Sequence, residues 1–270
     1  MTSRIKDCYS NLGLKDIFQS LKNISLPIYL AKTDIRQRYR RSTLGPWWIT
    51  ISTGVMIGCI GTIFGGIFKS PMDEFLPFLA IGLILWTFMS SVISESTTVL
   101  VSAEAIIKQL PLPIFSHILR MVSRNIIILF HNILIYPIVC VCVHKAVNWN
   151  ILFFIPGFVV LVLNLLWISL VLSIICTRFR DLGQIVASLL QIAFYLTPII
   201  WMPKLLPART SLMILDPNPV YHLIAIVREP ILGFAPSPLN WIVSIIILLF
   251  GSVFSISVFN HYRARISYWL

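Results

Sequence analysis

The chain of 270 residues has a net charge of +11, yet only 11% of its residues are charged and 57% are hydrophobic. Soluble domains have about 25% charged residues, so this composition excludes an ordinary soluble enzyme or nucleic-acid-binding protein, and the placement of the charges is more informative than their sum. The five cysteines form no C-x-x-C or histidine–cysteine cluster, so the sequence predicts neither a structural disulfide nor a metal site.

The first predicted element is a helix at the membrane surface, within a cytoplasmic N-terminus of residues 1–46. Ile24, Ile28, Ala31, Ile35 and Tyr39 recur at helical spacing and form one apolar stripe. Basic residues lie beside the stripe and before the first apolar run, namely Arg36, Arg38, Arg40 and Arg41. A basic amphipathic helix of this kind lies in the membrane interface. The arginines either anchor and orient the chain or also meet the phosphates of a lipid-linked substrate.

Six apolar runs follow, each long enough to cross a bilayer, which takes about 20 residues as a helix. They occupy about 47–68, 75–94, 121–143, 151–176, 185–202 and 239–260. The sequence therefore predicts an all-α polytopic membrane protein with a transmembrane domain at 47–260 and a tail at 261–270. Of the Lys and Arg residues, 16 fall on the side of the termini and 5 on the other, which predicts that both termini are cytoplasmic.

Small residues line one side of the first run. Gly54, Gly58, Gly61 and Gly65 are spaced by four, three and four positions. Glycines at this spacing allow two helix backbones to approach closely. The neighbouring helix belongs either to the same subunit or to a dimer partner.

The second loop contains a short apolar helix at 105–113 that is too short to span the membrane. Its residues of interest are Ile106, Ile107, Lys108, Leu110, Pro111 and Pro113. An exposed apolar helix can dock into a groove of a cytoplasmic partner. The alternative is a solvated connector, which does not require so many apolar residues.

The fifth run carries a polar stripe. Gln184, Ser188, Gln191 and Tyr195 recur at steps of 4, 3 and 4, and polar side chains in a membrane face protein or water. Neutral amides and an aromatic ring suit weak binding of sugars along a channel. Hydrogen bonding between helices is the alternative.

The loop at 203–238 is long and apolar. Its segment "DPNPVYHLIAIVREPILG", residues 216–233, offers Asn218 as a helix cap and Pro219 at the first turn. A re-entrant or interfacial helix pair fits this pattern. Non-helical backbone at membrane depth must be buried in protein or line a cavity.

The sequence lacks the G-x-x-x-x-G-K-[ST] loop that cradles ATP phosphates. It also offers almost no ionisable residue in the middle of a predicted span, where ion-coupled carriers keep such groups. We therefore expect no catalytic centre and no cofactor in this chain. If the protein is a pump, a partner must supply the energy.

Four segments together resemble the membrane subunits of type-2 ABC exporters, closest to the branch that exports O-antigen, capsule and teichoic acid polysaccharides. They read "RYRRSTLGPWW", "IIKQLPLPIF", "RFRDLGQIVASLLQIAFYLTPIIW" and "DPNPVYHLIAIVREPILG". The resemblance covers residues from about 25 to 260 and implies a homodimer of six-helix subunits with two separate ATP-binding subunits, which hold the ATP and magnesium. It further implies an interfacial helix at 24–43, a coupling helix at 103–113 and outer re-entrant helices at 205–234. On these outer helices we predict a gate of Asn218, Pro219, Tyr221 and Arg228.

The sequence thus favours the permease subunit of an ATP-driven exporter of lipid-linked polysaccharide in the bacterial inner membrane, with O-antigen as the first candidate. One alternative is an exporter of the same fold for capsule, teichoic acid or a small lipid or drug. The other is a polytopic glycosyl- or acyltransferase, which would need a carboxylate or histidine centre.

Overall fold

A computed structural model describes residues 11–38, 40, 44–45, 47–144, 148–205 and 207–270, and every regular element in these ranges is helical. The helices run in chain order as α1 (Leu12–Lys22), α2 (Ser25–Arg38), α3 (Trp47–Phe68), α4 (Met72–Ser96), α5 (Val99–Ser102), α6 (Glu104–Gln109), α7 (Phe115–Asn132) and α8 (Ile135–Cys142). They continue as α9 (Phe154–Arg178), α10 (Leu182–Leu196), α11 (Ala208–Leu215), α12 (Pro219–Leu232) and α13 (Pro238–Trp269), with 3-10 turns at Trp149–Phe153 and Pro203–Leu205.

In the part of the chain that the structure describes, five helical stretches are long and apolar enough to cross a membrane. They lie at Trp47–Phe68, Met72–Ser96, Phe115–Cys142, Trp149–Arg178 and Pro238–Trp269. Each coincides with one of the predicted spans. The prediction of an all-helical, multi-pass membrane protein is confirmed.

The fifth predicted span, 185–202, is only partly helical. Helix α10 has 15 residues, which gives about 22 Å at the rise of an α-helix and falls short of the roughly 30 Å hydrocarbon core. The helix stops at Leu196 because Pro198 disfavours a helical conformation of the residue before it. Thr197 is accordingly extended, with φ −91° and ψ 136°. A sixth span therefore stays a prediction.

The third span is broken between α7 and α8. Pro137 lies in the first turn of α8, where it has no N–H to donate and its ring would clash with the carbonyl of Ile133, four residues earlier. Helix α7 accordingly ends at Asn132, and α8 begins at Ile135.

The last helix is longer than its predicted span of 239–260. Helix α13 begins with Ser237, whose side chain accepts a hydrogen bond from the Asn240 N–H, and with Pro238 in the first turn. It extends over 32 residues to Trp269, which is about 48 Å. The predicted tail, 261–270, therefore continues the last helix instead of forming a separate segment.

The segment predicted as an interfacial helix, 24–43, contains helix α2, which packs on α7. Ala31 and Ile35 of the predicted stripe are buried, whereas Ile24 is exposed and Tyr39 lies outside the described residues. The stripe therefore serves in part to fix α2 to the helix bundle. Its depth in the membrane stays a prediction.

Helix α12 lies in the core, where it packs against α4, α9 and α13. Its predicted start is confirmed, because the Asn218 side chain accepts hydrogen bonds from the backbone N–H groups of Val220 and Tyr221 at 3.0 and 3.2 Å. Gly157 of α9 allows the closest approach. A Cβ atom there would lie 2.3 Å from the Ile226 carbonyl oxygen, so only glycine lets the two backbones meet.

Candidate coupling and transport surfaces

Asp16 of α1 caps the first turn of α7. Its carboxylate accepts hydrogen bonds from the backbone N–H groups of Ile114 and Phe115, at 3.0 and 2.9 Å. The first N–H groups of a helix have no partner within the helix and favour a nearby negative charge. The same carboxylate accepts a hydrogen bond from Nε of Arg263 near the end of α13, at 2.5 Å. One side chain with 4% exposure thus joins three helices.

Two more carboxylates bind the next turns of α7. Asp34 of α2 forms an ion pair with Arg120, whose Nε donates to Oδ2 at 2.7 Å, and it also contacts Arg124. Glu95 of α4 accepts hydrogen bonds from Arg124 at 2.6 Å and from Asn125 at 2.7 Å. We call Asp16, Asp34 and Glu95, with their partners Arg120, Arg124 and Arg263, the carboxylate junction.

The carboxylate junction was not predicted from the sequence. In the sequence, Arg120 and Arg124 are only two of the 16 basic residues assigned to the side of the termini. A usable signal was present, because the chain has only 10 acidic residues and charges near a membrane core are paired. Which arginine meets which carboxylate could not be read from spacing.

The predicted docking helix, 105–113, is shorter in the structure, where α6 ends at Gln109 next to the junction and Leu110 is extended. Docking itself stays a prediction. Within α6 an ion pair joins Lys108 and Glu104 at 2.7 Å, and the hydrogen bond and charge of Lys108 lower the pKa of the Glu104 carboxyl. Leu110, directly after the helix, is a large apolar residue with 52% exposure. Ile106 and Ile107 are half-buried against their own subunit.

The remaining predicted docking residues border this surface. Lys108 and Pro111 are exposed, and Pro113 is half-buried. Beneath α6 lies a polar cavity of about 300 Å³, to which Ile106, His117 and Arg120 contribute. The outward face of this loop is therefore centred on Leu110 rather than on the two isoleucines.

All four residues of the predicted polar stripe lie on the exposed side of α10. Gln184, Ser188, Gln191 and Tyr195 are each exposed, and Ser188 donates to the Gln184 carbonyl at 3.2 Å. No residue described in α10 is buried. Its link to α4 includes the Phe194 and Trp86 rings, whose centroids are 5.5 Å apart. The stripe is thus free to face a second subunit or a channel.

The glycine stripe of α3 has two different surroundings. Added Cβ atoms at Gly61 and Gly65 would each lie 2.5 Å from side chains of α4, at Leu76 Cδ1 and Met72 Sδ respectively. A Cβ at Gly58 would have no neighbour within 4 Å, and one at Gly54 would only touch Ile135 at 4.0 Å. Gly61 and Gly65 therefore pack inside the subunit, whereas the surface at Gly58 is open.

This contrast gives a matched pair of substitutions. Gly58→Leu is expected to leave the stability of the single subunit unchanged, because its side chain extends into open space. It is expected to reduce dimer formation, because the same side chain would keep a helix of the second subunit from approaching this surface. Gly61→Leu must displace Leu76 and is expected to destabilise the subunit itself by about 1–3 kcal/mol. Thermal unfolding and light scattering of the detergent-solubilised protein measure the two effects. An unchanged oligomer for Gly58→Leu would argue that no helix approaches this surface.

The predicted phosphate-binding arginines lie at the end of α2. Arg36 and Arg38 are exposed in its last turn and Arg40 is exposed just after it, where positive charge also favours the helix C-terminus. Arg41 lies outside the described residues.

Of the predicted gate residues, Arg228 is the most deeply buried, with 2% exposure. Its guanidinium donates to the Pro198 carbonyl at 2.6 Å and lies 4.1 Å from the centroid of the Phe78 ring. Asn218 donates to the Thr197 hydroxyl at 3.0 Å. These contacts fix α12 to α4 and to the non-helical segment after α10, which a sequence pattern could not reveal.

A second buried cluster connects α12 and α13. The Asn240 amide donates to Glu229 at 3.2 Å, and its oxygen lies 2.8 Å from Nδ1 of His222. The other ring nitrogen of His222 is 2.8 Å from the Asp216 carbonyl oxygen. His222, Glu229 and Asn240 were not among the predicted residues, and their hydrogen bonds hold α12 and α13 together.

Comparison with known proteins gives two kinds of match. A family model described as ABC-2 type transporter matches residues 28–232. The O-antigen export system permease protein RfbA of Klebsiella pneumoniae is 23% identical over 250 residues, which cover 89% of this chain and 93% of that protein. The protein of the same name from Myxococcus xanthus is 22% identical over 177 residues, covering 65% of this chain and 68% of its own length.

Proposed function

Because the chain belongs to the ABC-2 type transporter family, we propose that it is the permease subunit of an ATP-driven exporter of lipid-linked polysaccharide, with O-antigen as the first candidate substrate. The observation that carries the proposal is the alignment with an O-antigen export permease over 93% of that protein's length. The substrate named for the relatives is the basis for the substrate proposed here. The protein would work in the bacterial inner membrane with both termini in the cytoplasm.

In this proposal two copies of the chain assemble with two ATP-binding subunits. The ATP and magnesium belong to those partners, since this chain lacks a phosphate-binding loop. Closure of the partners on ATP pushes the loop around Leu110. The carboxylate junction then passes the displacement to four helices together. Ion pairs join α2 and α4 to α7, hydrogen bonds join α1 to α7, and an ion pair joins α13 to α1.

The sugar path is proposed to follow α10. Its exposed polar stripe contains no charge, and neutral groups bind a moving polymer weakly at many points, as conduction requires. The phosphates of the lipid carrier would start near Arg36, Arg38, Arg40 and Arg41, whose guanidinium groups can each bond two phosphate oxygens.

Helix α10 and the segment after it can cross the bilayer together. The helix contributes about 22 Å, and the six following residues, 197–202, continue it as a bent, non-helical segment in which the Ile199 N–H donates to the Thr197 carbonyl at 2.8 Å. Thr197 and Ile199 in this segment have no exposure, which satisfies the rule that non-helical backbone at membrane depth is covered by protein. The proposed sixth crossing is therefore part helix and part bent, non-helical chain.

Reconstitution tests the proposal. The chain and its ATP-binding partner are placed in proteoliposomes with lipid-linked polysaccharide on the partner's side, and protection of the glycan from an external glycosidase is followed. ATP-dependent loss of the glycan from that side, absent with a partner that lacks its phosphate-loop lysine, is the expected result. ATP-dependent movement of a short phospholipid or a drug, without the glycan, would favour the alternative exporter.

Cysteine labelling tests the sugar path. Cysteines at Gln191 and Tyr195 are expected to react with an external maleimide only during ATP turnover, because the exposed stripe then lines the open channel. The matched controls are Leu190→Cys and Ala193→Cys, which lie on the half-buried side of the same helix. Equal reactivity at all four positions, with or without ATP, would leave the stripe as a packing surface.

A further inference from the structure

A cleft of about 310 Å³ lies between the ends of α9 and α13. Its floor is aliphatic and formed by Ile174, Ile175 and Val258. Arg178 and Arg265 stand at its rim. Its lining includes no residue of α2, α3 or α10, so the cleft is separate from the proposed sugar path.

The two rim arginines differ from those of the carboxylate junction. Arg178 and Arg265 are exposed, and among the described residues neither forms an ion pair with a carboxylate. The Arg178 guanidinium instead lies 5.5 Å from the Trp269 ring centroid and 6.0 Å from that of Phe179. The aromatic rings orient this positive charge without neutralising it.

The cleft lies across the predicted boundary between hydrocarbon and water. Helix α9 ends at Arg178, and the apolar part of α13 gives way to the sequence "NHYRAR" at 260–265. Tyr262 and Trp269 line the cleft on this side, and tyrosine and tryptophan favour the level of the lipid headgroups. The floor therefore faces the depth of acyl chains, and the arginines face the depth of phosphates.

We propose that this cleft binds an anionic glycerophospholipid of the surrounding bilayer. Its phosphate would lie between the guanidinium groups of Arg178 and Arg265, each of which can donate two parallel hydrogen bonds to phosphate oxygens. One acyl chain would lie on the aliphatic floor. The site rests on the membrane placement of the chain and does not depend on which substrate is exported.

Native mass spectrometry of the full-length protein in detergent tests the site with phosphatidylglycerol and, for comparison, phosphatidylcholine as probes. Preferential retention of phosphatidylglycerol is expected. Arg178→Gln and Arg265→Gln should each weaken it about fivefold, and the double variant about 25-fold. Arg180→Gln is the matched control, because it removes the same charge two positions from Arg178 but outside the cleft, and it should change binding less than twofold.

A second variant separates the cleft from surface charge alone. Val258→Trp fills the floor while both arginines remain, and it should displace phosphatidylglycerol to a similar extent. Thermal unfolding of each variant verifies that the fold is retained. An equal loss for Arg180→Gln, or full binding by Val258→Trp, would overturn the proposal.

Two further outcomes would assign the arginines elsewhere. Displacement of phosphatidylglycerol by low concentrations of a polyprenyl diphosphate would show that the cleft binds the lipid carrier of the substrate instead. Loss of the ATP-binding subunit from Arg178→Gln and Arg265→Gln preparations, with lipid binding intact, would identify a protein contact. Because the lipid measurement uses this chain alone, it stands or fails independently of the export assay.

Discussion

Replacing Leu110 with aspartate is expected to reduce export at least tenfold, while the ATP-binding partner continues to hydrolyse ATP. Leu110 is a large, exposed apolar residue of the proposed docking loop, and a carboxylate buried in the partner's groove without a counter-charge is strongly disfavoured. Glycan export and ATP hydrolysis are measured in the same proteoliposomes.

The control for this substitution is Gln109→Asp, which adds the same charge at the neighbouring exposed residue. Ile106→Asp is less informative, because Ile106 is half-buried within its own subunit and the variant would also disturb folding. Export by Leu110→Asp at the wild-type rate would place the docking contact away from this loop.

Asp16→Ala is expected to destabilise the protein by about 3 kcal/mol, because it removes a helix cap and leaves a largely buried arginine without its counter-charge. Three donors lose their acceptor, namely the N–H groups of Ile114 and Phe115 and Nε of Arg263. The thermal-unfolding midpoint of the detergent-solubilised protein reports the change.

Two variants distinguish the parts of this effect. Arg263→Gln removes only the ion pair and keeps the cap, so its loss should be smaller. Asp181→Ala removes an exposed aspartate whose side chain makes no capping hydrogen bond to α10, and it should leave the midpoint unchanged. If Asp16→Ala were as stable as Asp181→Ala, the carboxylate junction would not hold the helices together.

The spanning helices could be predicted because their cause is local. A bilayer requires one uninterrupted apolar stretch, and the first predicted span, 47–68, coincides with helix α3 at Trp47–Phe68. The fifth run is also predominantly apolar, yet Pro198 ends its helix at Leu196. Hydropathy does not describe the effect of a proline on the backbone before it, so the predicted span extends beyond the observed end of the helix.

The carboxylate junction could not be predicted because its cause is tertiary. Asp16 meets Ile114 across 98 positions and Arg263 across 247, and no periodicity in the sequence connects them. The glycine stripe of α3 could be predicted from its spacing, but the contacts of its glycines could not. Gly58 and Gly61 share one pattern, but one is open and the other packs on α4, since spacing identifies a face of a helix and not its neighbour.

The contact between α1 and α13 has a consequence for how the chain is made. The Leu14 N–H donates to the Asn260 side chain at 3.0 Å, across 246 positions, and Asp16 meets Arg263 one turn further on. The ribosome therefore completes α1 first, but its partners emerge only after nearly the whole chain has been inserted. Until then α1 can pack on α7 but not on α13. The end of the helix bundle that holds α1 thus closes in the last step, and a chain that stops before Asn260 would contain all of α1 but not the α13 part of its binding surface.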